Sequence, residues 1–204
     1  PDGSLFGANS GGVVFLRSDP QKIPALKINI YSGSKGLIGT SLLLTRQTGK
    51  HSWYFRQSYQ RSDGYRRNSS NHRLFFQISD RWQYHPDYYL DGYLFYSDLD
   101  YRTPGGLTEE QYNEDPKQSR PASKTQPGSV EQKTRITTRM YFGGIRHKAS
   151  FKPWLNHTVT VWGNYVDFIY PFSTNYEIRN EKNMGIRTYF TLTPPARNSS
   201  LWKS

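Results

Sequence analysis

The sequence predicts an all-β fold of long antiparallel strands that form part of a transmembrane barrel, and three observations carry that prediction. The first is composition. Only 34% of the 204 residues are hydrophobic while 16% are aromatic, at a mean hydropathy of -0.82. Much of the apolar material is therefore Tyr, Phe and Trp, which suit a pleated, half-buried surface. The second is period. Leu74, Phe76 and Ile78 alternate with Arg73, Gln77 and Ser79, and Val159, Val161, Gly163 and Tyr165 alternate with Thr158, Thr160, Trp162 and Asn164. In the same way Ile136, Thr138, Met140, Phe142 and Gly144 alternate with Arg135, Thr137, Arg139 and Tyr141. Successive side chains of a strand point to opposite faces, so these segments read as two-faced sheet, with 136–144 supplying an apolar face and Arg135 and Arg139 a polar one. The third is the rhythm of the connections. Most predicted strands have at least the ~9–11 residues that a tilted strand needs to cross a bilayer, and their connections alternate short and long. No run of about 18 apolar residues is present, so a membrane helix is excluded, while a barrel is not.

Taken in order, residues 1–19 are Gly-rich and end in the apolar run Val13-Val14-Phe15-Leu16, entered through Gly11-Gly12. Residues 20–26, with Pro20 and Pro24, form a connector. From there to residue 204 the chain reads as strands: 27–33, 38–47, 52–62, 72–82, 88–101, 134–151, 157–170 and 185–193. Thr48-Gly49-Lys50, His85-Pro86-Asp87 and Lys152-Pro153-Trp154 are short turns, whereas 64–71, 102–133 and 171–184 are long. In a meander, successive connections fall on opposite ends, so one rim carries turns and the other loops. Trp53, Trp82, Tyr88, Tyr89, Trp154 and Tyr170 near strand ends are the expected interface aromatics.

The longest connection, 102–133, has no helical or strand period, and its five basic and five acidic residues cancel. It is expected to be a mobile lid. The chain begins at Pro1-Asp2-Gly3 and ends at Leu201-Trp202-Lys203-Ser204, and it reads as a fragment of a longer protein.

The segment Leu5-Phe6-Gly7-Ala8-Asn9-Ser10-Gly11-Gly12-Val13-Val14 resembles the end of the plug domain of TonB-dependent outer-membrane receptors. Gln60-Arg61-Ser62-Asp63-Gly64-Tyr65-Arg66 is similar to the top of an early barrel strand in that family, and Thr103-Pro104-Gly105-Gly106-Leu107-Thr108 resembles a long extracellular loop of ferric-citrate-like siderophore receptors. Such receptors have about 22 strands and a plugged lumen. The resemblance implies that 1–19 is the C-terminal end of the plug and 27–204 the N-terminal part of the barrel, with 102–133 extracellular. It further implies TonB-dependent import of a ferric siderophore or similar chelate across the bacterial outer membrane. The implied partners are TonB with its inner-membrane energising complex, the ferric chelate and outer-membrane lipid, and the full-length receptor is expected to be a monomer. No cofactor and no bond chemistry are implied.

Candidate ligand contacts follow. Arg135 and Arg139, expected to face the lumen, could pair an anionic chelate bidentately, or could simply solvate the lumen or pair with acids. Arg102, Tyr112 and Arg120 belong to the long loop, where binding residues concentrate. Tyr65 and Arg66, with Arg67, form a basic aromatic cluster on the same rim. Asp98 and Asp100 share a strand face. The five histidines lack metal-ligand spacing, and no Cys is present. There is no nucleophile elbow, phosphate loop or zinc-protease motif. A net charge of +11 with exposed aromatics raises nucleic-acid binding, but the basic residues are spread over nearly every segment and form no stripe. A passive porin or a barrel enzyme shares the fold; a porin would lack the plug, and an enzyme needs a catalytic grouping that the sequence does not offer.

Overall fold

A computed structural model describes residues 25–171 and 175–193. Eight strands follow one another: β1 Leu26–Gly33, β2 Leu37–Thr48, β3 His51–Ser62, β4 Asn71–His85, β5 Tyr88–Arg102, β6 Arg135–Lys152, β7 Leu155–Pro171 and β8 Tyr176–Leu192. All pair with their sequence neighbours, antiparallel, in the order β1-β2-β3-β4-β5-β6-β7-β8. The sheet is open, because β1 and β8 do not pair with each other. The segment assigned to the plug, 1–19, lies outside the described residues, as does most of the connector.

The rims are unequal. Gly49-Lys50, Pro86-Asp87 and Pro153-Trp154 close one end in two residues each, whereas the other end carries 63–70 and 103–134. The expected long loop at 171–184 is a correction. Residues from Tyr176 onward are strand, paired register for register with β7 up to Pro171. The charged run Arg179 to Lys182 has no apolar alternation of its own, yet Asn180 meets Asp167 and Arg179 packs on the Phe168 ring, so the partner strand holds it extended.

Opposed residues of antiparallel strands share a face, which lets each face be traced across the sheet. One row runs Trp53, Asp80, Gly92, Ile145, Val161, Ile186, and the next runs Phe55, Ile78, Leu94, Gly143, Gly163, Met184. With Leu26, Ile28 and Ile30 of β1 and Leu42 and Leu44 of β2, these make a mainly apolar face that spans all eight strands, interrupted at Asp80, whose carboxylate pairs with His51 at 2.6 Å. The opposite, polar face carries Arg56, Gln77, Arg81, Asp91, Arg146 and Asn164.

This register corrects the reading of β6. Its odd residues include Arg135 and Arg139 but continue as Ile145, Ala149 and Phe151, while the even residues run from Ile136 through Phe142 to Arg146 and Lys148. Polarity inverts halfway along the strand. Arg135 and Arg139 therefore stand on the apolar face, at its long-loop end, and Ile136 to Gly144 stand on the face of Arg81 and Arg146. The window from Arg135 to Gly144 covers little more than one half of an 18-residue strand and cannot reveal the inversion.

Among the described residues the sheet is a single layer without a core. Only Ala149 and Val166 are buried apolar residues among those described, and the accessible surface is 15161 Å², against roughly 9,900 Å² for a compact protein of this mass. Most large apolar side chains left exposed belong to the apolar face, Met184 at 90% and Ile30 at 76% among them. Aromatic rings border this face at both ends. Toward the short turns the rings of Trp53, His51, Trp82, Tyr84, Tyr88, Phe151, His157 and Phe190 follow one another with centroids 4.6–6.5 Å apart, crossing from β3 to β8. Toward the long loops Tyr96, Tyr141 and Tyr165 stand in one row. Of the residues expected in such belts, Tyr89 and Tyr170 instead occupy the polar face.

Candidate ligand-binding rim

The connection 63–70 turns through two left-handed residues, Gly64 at φ 80° and Asn68 at φ 57°. A Cβ at Gly64 would lie 2.3 Å from the Ser69 carbonyl oxygen, so glycine is required there. Asn tolerates the left-handed region, and at Asn68 it brings a side-chain amide to the neck of the long loop. Its Nδ2 donates to the carbonyls of Thr103 and Thr134, both at 3.0 Å, with the Ser129 carbonyl at 3.3 Å. Thr134 Oγ1 donates to the Thr103 carbonyl at 2.6 Å, closing the same neck.

The loop 103–134 is folded, which corrects the expectation of a structureless lid. Thr108 caps helix α1, Glu109–Glu114, in a capping box: Gln111 N–H donates to Thr108 Oγ1 while Gln111 Oε1 accepts from Thr108 N–H. Threonine followed three residues later by glutamine is the readable signal for this start. Glu110 has its carboxyl held below the ordinary carboxylate range by its own backbone N–H and the Thr108 hydroxyl. Beyond the helix the loop docks on 63–70. Arg66 Nε donates to the Gln118 carbonyl at 2.9 Å, Arg67 N–H to the Lys117 carbonyl at 2.7 Å, and the Arg67 guanidinium pairs with Asp115 at 2.5 Å.

These contacts sort the sequence candidates. Tyr65, Arg66 and Tyr112 come together with Leu107, Thr108 and Glu109 around a hollow of about 480 Å³ between the two loops. Tyr65 and Tyr112 are more than half exposed, Lys35 Nζ lies 5.6 Å from the Tyr65 ring centre, and one Arg66 guanidinium nitrogen is buried with no hydrogen-bond partner. Two open aromatic faces and nearby cations can take an aromatic or anionic ligand. Arg120 is turned inward instead. Its side chain donates to the Pro127 carbonyl at 2.9 Å, and its backbone bridges Pro104 and Ser129, so it braces the loop.

Arg102, Arg135 and Arg139 stand apart from the hollow. Arg139 pairs with Asp98 at 3.4 Å, Arg135 lies 3.9 Å from Asp100, and Arg102 is opposed to Arg135 in register. Asp98 and Asp100 do share a face, and each is matched by an arginine. A second charged group, missed in the sequence, occupies the polar face: Arg81 and Arg146 converge on one carboxylate, Asp91. Its members are far apart in the chain, and only the register unites them. Among the described residues no three His, Asp or Glu side chains gather as a metal site. No protein-family model and no curated protein matches the chain.

Proposed function

We propose that this sheet is part of the wall of an outer-membrane β-barrel, with its apolar face toward lipid and its polar face toward the lumen, in a TonB-dependent receptor that imports a ferric siderophore or similar chelate. The observation that carries the membrane reading is the apolar face bounded by aromatic rings. From Tyr141 to Phe151 on β6 the band measures about 33 Å along the strand, or roughly 25 Å along the normal of a barrel tilted by about 40°, which matches the apolar belt of such barrels. A water-facing sheet with this surface would aggregate. The open edges of β1 and β8 call for further strands, because an unpaired edge is not tolerated in lipid. The receptor reading draws on the resemblance of 5–14 and 103–108, on the unequal rims and on the hollow at Tyr65, Arg66 and Tyr112. A cation beside exposed rings suits an anionic or catecholate chelate.

Two measurements test it. Nitroxides placed at Leu94, Ile145 and Val161 should collide with lipid-dissolved oxygen, and those at Arg56, Gln77 and Asn164 with a water-soluble nickel chelate; the reverse pattern removes the membrane reading. Uptake of radiolabelled ferric citrate or a ferric catecholate should require TonB. Uptake independent of TonB, with the first pattern intact, would favour a passive barrel.

A further inference from the structure

We propose that Arg81, Arg146 and Lys148, with Arg187 beside them, form an anion-binding station on the polar face near the short-turn rim, built for a polycarboxylate or phosphate-bearing solute. This rests on the reading that the polar face meets water in a lumen, and it names the charge class of what passes there.

The register sets the station. Arg81, Asp91, Arg146, Thr160 and Arg187 are successive partners across β4, β5, β6, β7 and β8, so they lie in one row on one face. Arg81 donates from Nε to Asp91 Oδ1 at 2.7 Å and from Nη2 to Oδ2 at 3.3 Å. Arg146 donates from Nε to Asp91 Oδ2 at 2.9 Å and also from Nη2 to that oxygen. In the next row Tyr89 opposes Lys148, and its ring lies beneath both cations, with the Arg81 guanidinium carbon 4.3 Å and Lys148 Nζ 5.9 Å from the ring centre. Arg187 sits over Tyr189 at 5.7 Å.

One carboxylate thus orients two guanidiniums without neutralising the group. Each guanidinium has five N–H donors in a fixed fork, and Asp91 engages two nitrogens of each, leaving donors for a second carboxylate or a phosphate. The side chains of Arg81 and Arg146 remain 40% and 45% exposed, so these donors are reachable, whereas Asp91 is 19% exposed. From β2 to β8 the polar face holds Arg56, Arg73, Arg81, Arg146, Lys148, Arg179 and Arg187 against three carboxylates, Asp91 and, paired with Arg179, Glu177 and Glu181. The field along it is positive, and a water-filled passage with low-dielectric walls concentrates anions. Arg135 and Arg139 are as exposed but differ in charge balance and in face. They are matched with Asp100 and Asp98 and occupy the opposite face.

Citrate is the probe, with equilibrium dialysis of the purified protein in detergent at low and high salt. Wild type should bind citrate more tightly at low salt, and Lys148→Gln and Arg146→Gln should each weaken it roughly tenfold, as expected for losing a charge-assisted contact. Lys148→Gln touches no ion pair and keeps the test valid if Arg146→Gln fails to fold. Arg139→Gln should bind as wild type does. Failure of wild type to bind citrate, as when an acidic segment of polypeptide already covers the row, overturns the proposal, as does equal binding by Lys148→Gln. Dialysis needs neither TonB nor a membrane: citrate binding with nitroxides at Ile145 in water would sink the membrane reading and leave the station.

Discussion

Arg139 faces Asp98 across β5 and β6, Nε to Oδ2 at 3.4 Å, on the same side of the sheet as Leu94 and Ile145. The pair lies beyond the Tyr96 and Tyr141 row, where the apolar face gives way to charge. It is half exposed on the arginine side, so it behaves as a surface ion pair worth at most about 1 kcal/mol. Arg139→Ala should therefore change the unfolding midpoint in urea only slightly and leave ligand uptake intact. Loss of uptake with normal stability would return Arg139 to the binding site.

Asn68 has a different weight. Its amide meets the carbonyls of Thr103, Ser129 and Thr134 and so ties the two ends of the loop to 63–70. Asn68→Ala removes this shared donor, although each carbonyl keeps another, and places a non-polar residue at φ 57°, at a cost of about 0.5–1.5 kcal/mol. Asn68→Gly relieves the backbone but restores no bond. Both variants should be cut faster by trypsin at Lys124 and Lys133, and cleavage at the wild-type rate would show that the neck is held by other contacts.

The strands were legible in the sequence because alternation and turn residues are local. Pro86-Asp87 and Pro153-Trp154 open with a proline that cannot donate to a strand ladder, a local turn signal, and β7 keeps one polarity along the apolar band. β6 was misread because its polarity inverts at Tyr141, a fact with meaning only once Tyr96 and Tyr165 stand beside it. The rim was half legible. Tyr65 and Arg66 are neighbours in sequence, but Tyr112 reaches them through α1, whose capping box Thr108 to Gln111 carries a local signal, and through docking at Asn68, which carries none. The Arg81–Asp91–Arg146 group depends on register alone.

Glu110 gives a pH test of the helix start. Its carboxyl is held below the ordinary value of 4.5. A carboxyl whose folded pKa is depressed adds stability above the unfolded value and loses it as pH falls through the folded one. The first turn of α1 should thus persist at pH 4.5 and loosen only below it. Thr108→Ala removes one of the two bonds, so the Glu110 carboxyl carbon followed by NMR should titrate closer to 4.5; an unchanged midpoint would mean that the hydroxyl plays no part.

Two glycines on opposite faces should respond with opposite signs. A Cβ at Gly92 meets no atom within 4 Å, and glycine in a strand costs about 0.5–1 kcal/mol relative to alanine, so Gly92→Ala should raise the thermal midpoint. A Cβ at Gly185 would lie 2.6 Å from Trp162 Cε2, a ring that also stacks on Phe142 at 6.0 Å. Trp162 must move, breaking the stack, so Gly185→Ala should lower the midpoint by the equivalent of about 1–3 kcal/mol. Equal midpoints for the two variants would mean that Trp162 does not lie on Gly185.

The edges provide the last test. Among the described residues β1 is exposed at every position and pairs only with β2, and β8 pairs only with β7. Each presents a row of unpaired backbone donors and acceptors, which in lipid costs several kcal/mol per group. Residues 1–204 expressed by themselves should therefore fail to insert as a conducting monomer, and should be recovered either aggregated through β1 or β8 or as larger assemblies that close the sheet. Single-channel recording and native mass measurement decide it. A conducting species with the mass of one chain would mean that β1 and β8 meet directly and that eight strands suffice.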